Sequence, residues 1–328
     1  GRGDPEALAA LLEHFGRERH LNVSLEAVSG PSIPLHGLDA VTVLGHELET
    51  ELSPAELGAI AGAVVAAGAN IDRIVRLARY PVYAYEFLVR GADRTELRRL
   101  LAQASAAHSL DVAVQPAGLE IRAKRLVVLD VDSTLIQDEV IELIAAEAGC
   151  HERVRAVTSA AMAGELDFSE ALRHRVRLLE GLEVEALERA RKQMRLTPGA
   201  KTFIRTLKRL GYTVGIVSGG FTHFTDQLRE ELDRDHAVAN ELEVRDGRLT
   251  GEVVGTIVDR ARTAEMLAEF ARREHIPLSQ TVAVGDGAND LDMLAAAGLG
   301  IAFNAKPVVQ EAADTTVNVP FLLSLIHI

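Results

Sequence analysis

Residues 125–142 read R-L-V-V-L-D-V-D-S-T-L-I-Q-D-E-V-I-E, a short apolar run that stops on two alternate aspartates. Leu126, Val127, Val128 and Leu129 leave none of the polar gaps of an amphipathic helix, and predict a strand buried on both faces, as in a parallel sheet. Asp130 then stands at the carboxyl end of a strand. In open α/β sheets that edge is where loops leave the rigid strands and helix N-termini aim their positive ends. Asp130 and Asp132 can face one ligand together if the chain bulges or turns at Val131. Two carboxylates so placed suit a hard, oxygen-liganded cation such as Mg²⁺, and a carboxylate can also be a nucleophile. An EF-hand loop also opens D-x-D, but Leu135 and Ile141 occupy the positions where it requires Gly and Glu. A solvated Asp-rich turn is the plain alternative for D-V-D taken alone.

Two further strand ends repeat the pattern. Tyr212–Val217 is an apolar run ending at Ser218-Gly219-Gly220, where a hydroxyl and glycine N–H groups can cradle phosphate oxygens. Thr281–Val284 ends in G-D-G-A-N-D, which brings Asp286, Asn289 and Asp290 to the same edge.

The chain's 328 residues suffice for two or three domains. Its formal charge of −13 disfavours nucleic acid, whose affinity rests on clustered Lys and Arg. No apolar stretch is long enough to span a bilayer, so no membrane partner is expected. One cysteine, Cys150, excludes an internal disulfide framework and fits a reducing cytoplasm; it reads as a small apolar residue on a helix face. The opening at Gly1 and the closing apolar stub L-L-S-L-I-H-I give the sequence the look of a fragment.

Pro5–His20 shows helical spacing and Leu21–Ala27 alternates as a strand, the end of a domain whose start is missing, followed by a linker to Pro34. From Ala40 to Gln115 the order is strand, helix, strand, strand, helix, strand. That is a ferredoxin-like βαββαβ unit with two helices on one sheet face. Ser53-Pro54-Ala55-Glu56 supplies a cap, a first-turn proline and a capping-box glutamate. Asp138–Arg195 is helical in period throughout and reads as a cap over the strand edge, excluding water and supplying specificity. A helix over Ala200–Leu210, a D-G hairpin at Arg245–Arg248, a helix over Arg262–His275, another from Leu291 to Ala297 and a strand at Gly300–Ala302 complete the reading.

The set D-V-D-S-T, V-S-G-G and V-G-D-G-A-N-D, in this order, resembles the haloacid dehalogenase superfamily of aspartate-nucleophile phosphatases, and from Lys124 to Val319 the text is similar to its phosphoserine phosphatases. A-A-G-A-N-I-D-R-I resembles the ACT domain, a small amino-acid-sensing module. The resemblance implies an α/β fold: a Rossmann-like parallel sheet with a helical cap at about 138–195, preceded by a ferredoxin-like ACT domain. The expected domains are 1–34 (remnant of a first ACT-like domain plus linker), 39–117 (ACT-like) and 121–328 (phosphatase).

By the same resemblance, the substrate is O-phospho-L-serine and the cofactor Mg²⁺. Asp130 is the nucleophile and Asp132 the general acid and base. The metal is held by Asp130, the backbone carbonyl of Asp132 and Asp286, with Asp290 supporting from behind. Ser218, Gly219 and Asn289 contact the phosphate, Glu139 the ammonium and Arg175 the carboxylate, while Met162 and Phe168 line the cap. An amino-acid effector at the ACT-like domain and a cytoplasmic homo-oligomer are also implied. Read from their own positions, Arg175 is an exposed helix charge and Met162 and Phe168 are core packing. Three alternatives stay open: another phosphatase of the superfamily, a phosphotransferase, or a weakly active amino-acid-sensing relative. One position departs from the family. The lysine that it places in the stretch aligned with D-R-A-R-T-A-E-M-L falls at Thr263, so weak activity is expected unless Arg260, read as a loop residue, takes its place. Arg262 stands one residue along the helix, a rotation of roughly 100°.

Overall fold

The computed structural model describes residues 37–48, 50–118, 123–162, 166–232 and 235–328; the helix, strand and linker expected before Pro34 lie outside the described residues. Strand β1 (Leu38–Leu48), helix α1 (Pro54–Ala66), strands β2 (Asn70–Ala78) and β3 (Val82–Arg90), helix α2 (Arg94–His108) and strand β4 (Leu110–Pro116) form an antiparallel βαββαβ unit in the order β2-β3-β1-β4. Ser53 and Glu56 close a reciprocal capping box around Pro54, and Gly68 takes the positive φ of +71° that ends α1. Alternation along β1 divides its side chains. Val41 and Val43 pack under the helices with Ile60, Val64, Leu97 and Leu101. Leu44, with Val82 and Ala84, joins the opposite cluster, which contains Leu322 and Leu325. The apolar stub at the end of the sequence is thus a 3₁₀ run, Leu322–His327, that helps to cover the second face of this sheet.

The remaining strands are β5 (Leu126–Leu129), β6 (Thr213–Phe221), β7 (His236–Arg245), β8 (Arg248–Val254), β9 (Thr281–Gly285), β10 (Gly300–Phe303) and β11 (Thr315–Val317). They continue the same sheet in the order β4-β11-β10-β9-β5-β6-β7-β8, with β11 joined to β4 by the single pair Thr315 and Ala113. β11, β10, β9, β5, β6 and β7 run parallel to one another. The β7–β8 hairpin turns on Asp246 and Gly247, both at positive φ (51° and 74°), as a twist-matched two-residue turn requires. β5 lies between β6 and β9 and is wholly buried. Its side chains alternate between two apolar clusters, Val127 and Leu129 on one face, Leu126 and Val128 on the other with Met266, Leu267 and Phe270. Each such burial stabilises by about 1.5–3 kcal/mol.

Between β5 and β6 stand four helices, α3 (Val140–Glu147), α4 (His151–Met162), α5 (Phe168–Arg177) and α6 (Val184–Gln193), in the interval read as a cap. Helices α7 (Ala200–Arg209), α8 (Thr222–Leu232), α9 (Arg260–Arg273), α10 (Leu291–Ala296) and α11 (Pro307–Ala312) follow. Three features depart from the sequence reading. β6 runs through Ser218-Gly219-Gly220 to Phe221 instead of stopping before them. Helix α9 opens at Arg260 rather than Arg262, because the Asp259 side chain accepts from Arg262 N at 2.9 Å and caps it. Helices α8 and α11 and strand β11 carried no periodicity strong enough to be foreseen.

Candidate active site

Register brings the three motifs together. Leu129 pairs with Ile216 on one side and Val284 on the other, so Asp130 and Asp286, just past the ends of β5 and β9, stand at nearly one level with Ser218 within β6. After Asp130 the chain makes one wide helical turn, Val131–Leu135, in which Ile136 N–H reaches Val131 O at 3.0 Å and Ser133 takes a φ of 57°. Turns of this width recur at functional sites because they re-aim the chain within a few residues. Asp132 is set above the sheet edge: its Oδ1 accepts from Val140 N at 2.7 Å and its Oδ2 from Ser218 Oγ at 3.3 Å.

The glycines explain the closeness of approach. A Cβ at Gly220 would stand 2.9 Å from Asp132 Oδ2 and 3.0 Å from Ser218 Oγ, and one at Gly219 would meet the Phe168 ring at 3.0 Å. Phe168, the first residue of α5, therefore lies directly against the S-G-G segment, as a wall of the site. In G-D-G-A-N-D, a Cβ at Gly285 would meet the Asp290 carboxylate at 2.5 Å and one at Gly287 the Asn289 Oδ1 at 2.2 Å. Both side chains fold back beneath the strand end; Asp290 Oδ2 accepts from Gly287 N at 3.0 Å and Asn289 Nδ2 donates to Asp290 Oδ1 at 3.0 Å.

Asp130, Asp286 and Asp290 each offer an oxygen within 4.8 Å of the others. Two ligands about 2.1 Å from one Mg²⁺ stand at most roughly 4.2 Å apart, so small side-chain movements close this set around such an ion. The electrostatics agree. Burial, then Asp290, Asp132 and Asp286, holds Asp130 well above the usual carboxylate range. Burial and Glu139 push Asp132 up to about 7, opposed by the hydrogen bonds from Val140 and Ser218. Burial and Glu139 raise Asp286 to about 6, with Lys306 pulling back, and burial raises Asp290 to about 8 against the Gly287 N–H. Crowded, buried carboxylates that resist ionising are what a divalent cation relieves. Asp290 reaches this cluster although its two oxygens already accept from Gly287 N and Asn289 Nδ2, and the side-chain oxygens of Asp132 accept from Val140 N and Ser218 Oγ.

Glu139 and Arg175 flank the cluster. Glu139 is exposed and accepts from Ser133 Oγ at 2.8 Å. The Arg175 guanidinium is half-buried, its pKa lowered by burial and raised by Glu139, Asp132 and Glu142, and it forms no ion pair among the described residues. It is therefore no idle surface charge. Met162 ends α4, and its side chain is outside the described residues. Thr263 is buried, with its Oγ1 2.7 Å from Arg260 O and 3.2 Å from Asn289 O, which places it beneath the third motif. Arg260 is not a free loop cation: its Nε and Nη2 both donate to Asp292 Oδ1, at 2.8 and 2.5 Å.

Three contributors had no local signature. Asn240, 1% exposed, donates to Gly219 O and accepts from Val258 N, both at 2.8 Å, and so fixes the S-G-G backbone. Thr134, quoted in D-V-D-S-T without a role, donates to Asp286 Oδ1 at 3.4 Å. Lys306 N–H donates to Asp286 O at 3.3 Å, and its charge acts on the Asp286 carboxylate.

Comparisons with known proteins bear on the family. The family model of the haloacid dehalogenase-like hydrolases matches residues 127–295, and that of an ACT domain residues 38–115. Phosphoserine phosphatase of Streptomyces coelicolor is 61% identical over 328 residues, all of this chain and 79% of that protein. A phosphoserine phosphatase of Mycobacterium tuberculosis is 47% identical over 92% of this chain and 74% of its own length. Among solved structures, a probable phosphoserine phosphatase from Vibrio cholerae superposes with a TM-score of 0.70 at 35% identity, covering 97% of this chain and 92% of that one. A phospho-aspartyl intermediate analogue of a phosphoserine phosphatase superposes at 0.59 with 45% identity, over 62% of this chain and 97% of that one. The chain belongs to the haloacid dehalogenase-like hydrolases, and carries an ACT domain ahead of the hydrolase fold.

Proposed function

We infer that this chain is a phosphomonoesterase that hydrolyses O-phospho-L-serine to L-serine and inorganic phosphate. The observation that carries the reading is the meeting of Asp130, Asp132, Ser218 and Asp286 on one sheet edge, with Glu139 and Arg175 beside them as a carboxylate and a guanidinium for the two charges of an amino acid.

Asp130 Oδ attacks phosphorus, an aspartyl-phosphate bond forms, and the bond from phosphorus to the serine oxygen breaks. Asp132, held near pH 7 by burial and Glu139, carries the proton that the departing alkoxide takes. It then removes a proton from water, which attacks phosphorus and breaks the bond to Asp130. Ser218 and the Gly219 N–H bind phosphoryl oxygens, Asn289 contacts the same region, and Phe168 stands as an apolar wall against Gly219. Asp130 and Asp286, with Asp290 or the Asp132 carbonyl, would hold Mg²⁺. Bound there, the cation supplies positive charge against the repulsion between carboxylate and phosphate.

The lost lysine at Thr263 favours a second reading, a weakly active amino-acid-sensing relative, since neither Arg260 nor Thr263 brings free charge to the phosphate. The domain limits 39–117 and 121–328, a cytoplasmic setting, homo-oligomers and an amino-acid effector belong to the same proposal. Among the described residues no helix is long and apolar enough to cross a membrane. Phosphate release measured on O-phospho-L-serine and on sugar phosphates, with and without Mg²⁺, tests it. Magnesium-dependent release from phosphoserine is expected. Release from sugar phosphates alone would assign the chain to another substrate.

A further inference from the structure

The four helices α3–α6 join the hydrolase core through two crossings, residues 136–139 on the way out to α3 and 194–197 on the way back from α6. The crossings lie antiparallel, side by side. Ile136 pairs with Leu196, Gln137 donates from N to Arg195 O at 2.9 Å and from Nε2 to Leu196 O at 3.0 Å, and Thr197 N donates to Leu135 O at 3.0 Å. A clasp closes the outer end of this pair. Asp138 Oδ1 accepts from Arg195 Nη2 at 2.7 Å and from Nε at 3.2 Å, and Asp138 Oδ2 accepts from Arg195 N at 2.8 Å. The Asp138 side chain is 11% exposed and that of Arg195 66%, so the guanidinium lies over a carboxylate that is nearly buried. An ion pair open to water on one side adds little to stability, and what matters here is where the pair stands.

The residue after Asp138 is Glu139. Ser133, in the turn that follows Asp130, donates from N to Asp138 O at 3.3 Å and from Oγ to Glu139 Oε1 at 2.8 Å, so it is bound to both. Val140, next along, is 1% exposed within the main apolar cluster, and that packing holds its N–H on Asp132 Oδ1. Glu139 has no such anchor: it is exposed, and it stands at the start of α3 without a side-chain capping bond. Its carboxylate follows the backbone at 138–139, which the clasp ties to the returning crossing. We propose that Arg195 is a positioning residue: by gripping Asp138 it fixes the Glu139 carboxylate where the ammonium of an amino-acid phosphomonoester binds. The identity of that ligand rests on the phosphoserine reading; the placement of Glu139 rests on the clasp alone. A carboxylate held in place before the ligand arrives spares the cost of ordering it, and that saving appears as affinity. The reacting groups Asp130 and Asp132 are held by other contacts, so the chemical step does not depend on Arg195.

Steady-state hydrolysis by Arg195→Met and by the parent chain, with Mg²⁺ present, tests this on O-phospho-L-serine and on p-nitrophenyl phosphate, which has no ammonium. KM for phosphoserine should rise at least about fivefold with kcat kept within about twofold, and both constants for p-nitrophenyl phosphate should stay within about twofold. Arg195→Lys, which keeps a cation beside Asp138, should recover most of the loss. Hydrogen exchange reads the clasp with no substrate at all. The Ser133 amide, whose acceptor is Asp138 O, should exchange at least about tenfold faster in Arg195→Met, while that of Val140 keeps the parent's rate. An unchanged KM for phosphoserine, or equal losses on the two esters, in a protein of unchanged melting temperature would overturn the proposal. A parent chain that releases phosphate from p-nitrophenyl phosphate and none from phosphoserine would overturn the substrate reading instead. The placement of Glu139 is then decided by exchange at Ser133, and a rate equal to the parent's would overturn it.

Discussion

Thr263 is buried beneath the third motif, where the family resemblance places a lysine. Its hydroxyl is spent on Arg260 O and Asn289 O, so on the proposed function Thr263 brings no charged donor to the phosphoryl group. Removing one preorganised donor lowers turnover by about 10² to 10³, so Thr263→Lys should raise kcat by roughly that factor. Arg260→Ala should leave it within about twofold, because Arg260 is bound to Asp292. A strong loss in Arg260→Ala with no gain in Thr263→Lys would mean that the arginine already serves. The carboxylates give a pH signature. Asp286, Asp132 and Asp290 are raised to about 6, 7 and 8, so the folded chain keeps protons that the unfolded chain releases near pH 4. With more protons on the native state, stability falls as pH rises from about 4 to about 8. Mg²⁺ competes with those protons, and its increment in melting temperature over chelator-treated protein should be larger at pH 8 than at pH 5. Equal increments would show that the cluster is not where the ion binds.

The active-site elements are short strands whose ends are set by register, which is why so much of the site was legible. Leu126–Leu129 has no helical solution, and the residues that follow it and its two neighbours carried the motifs. Less legible were elements defined by what lies beside them in space. β11 is three residues long and gains its identity from β10 and β4. Asn240 is one polar residue in β7, and only the fold reveals that it clasps Gly219 and Val258. Asn240→Ala would orphan the Val258 N–H, costing about 1–3 kcal/mol, and release the S-G-G backbone. Loss of positioning of that size lowers kcat by about tenfold to 10², with KM for phosphoserine moving less. Unchanged steady-state kinetics would show that the loop holds itself. The start of α9 was readable in principle: Asp259 stands three residues before Arg262 as a cap, a signal outweighed by the apolar spacing further on.

At the scale of the whole molecule, one sheet runs from the βαββαβ unit into the hydrolase fold, although the sequence reads as two independent patterns. The reason is long-range. A single strand pair joins β4 to β11, and the polar contacts of Asp111 with Asn318 and Val319 span more than two hundred positions of sequence, beyond any local periodicity. Asp111→Ala would leave two backbone donors at that seam without their acceptor, at about 1–3 kcal/mol each, and urea denaturation should show either that loss or an earlier separate transition of the βαββαβ unit. An unshifted single transition would mean that the seam contributes nothing. The central claim concerns chemistry at Asp130, and it is tested most directly by phosphate release from O-phospho-L-serine by Asp130→Asn beside the parent chain, Mg²⁺ present. A neutral amide cannot open the covalent route, so release should fall by at least about 10³, with the melting temperature kept or raised by the loss of one buried charge. Release by Asp130→Asn at the parent's rate would contradict the account.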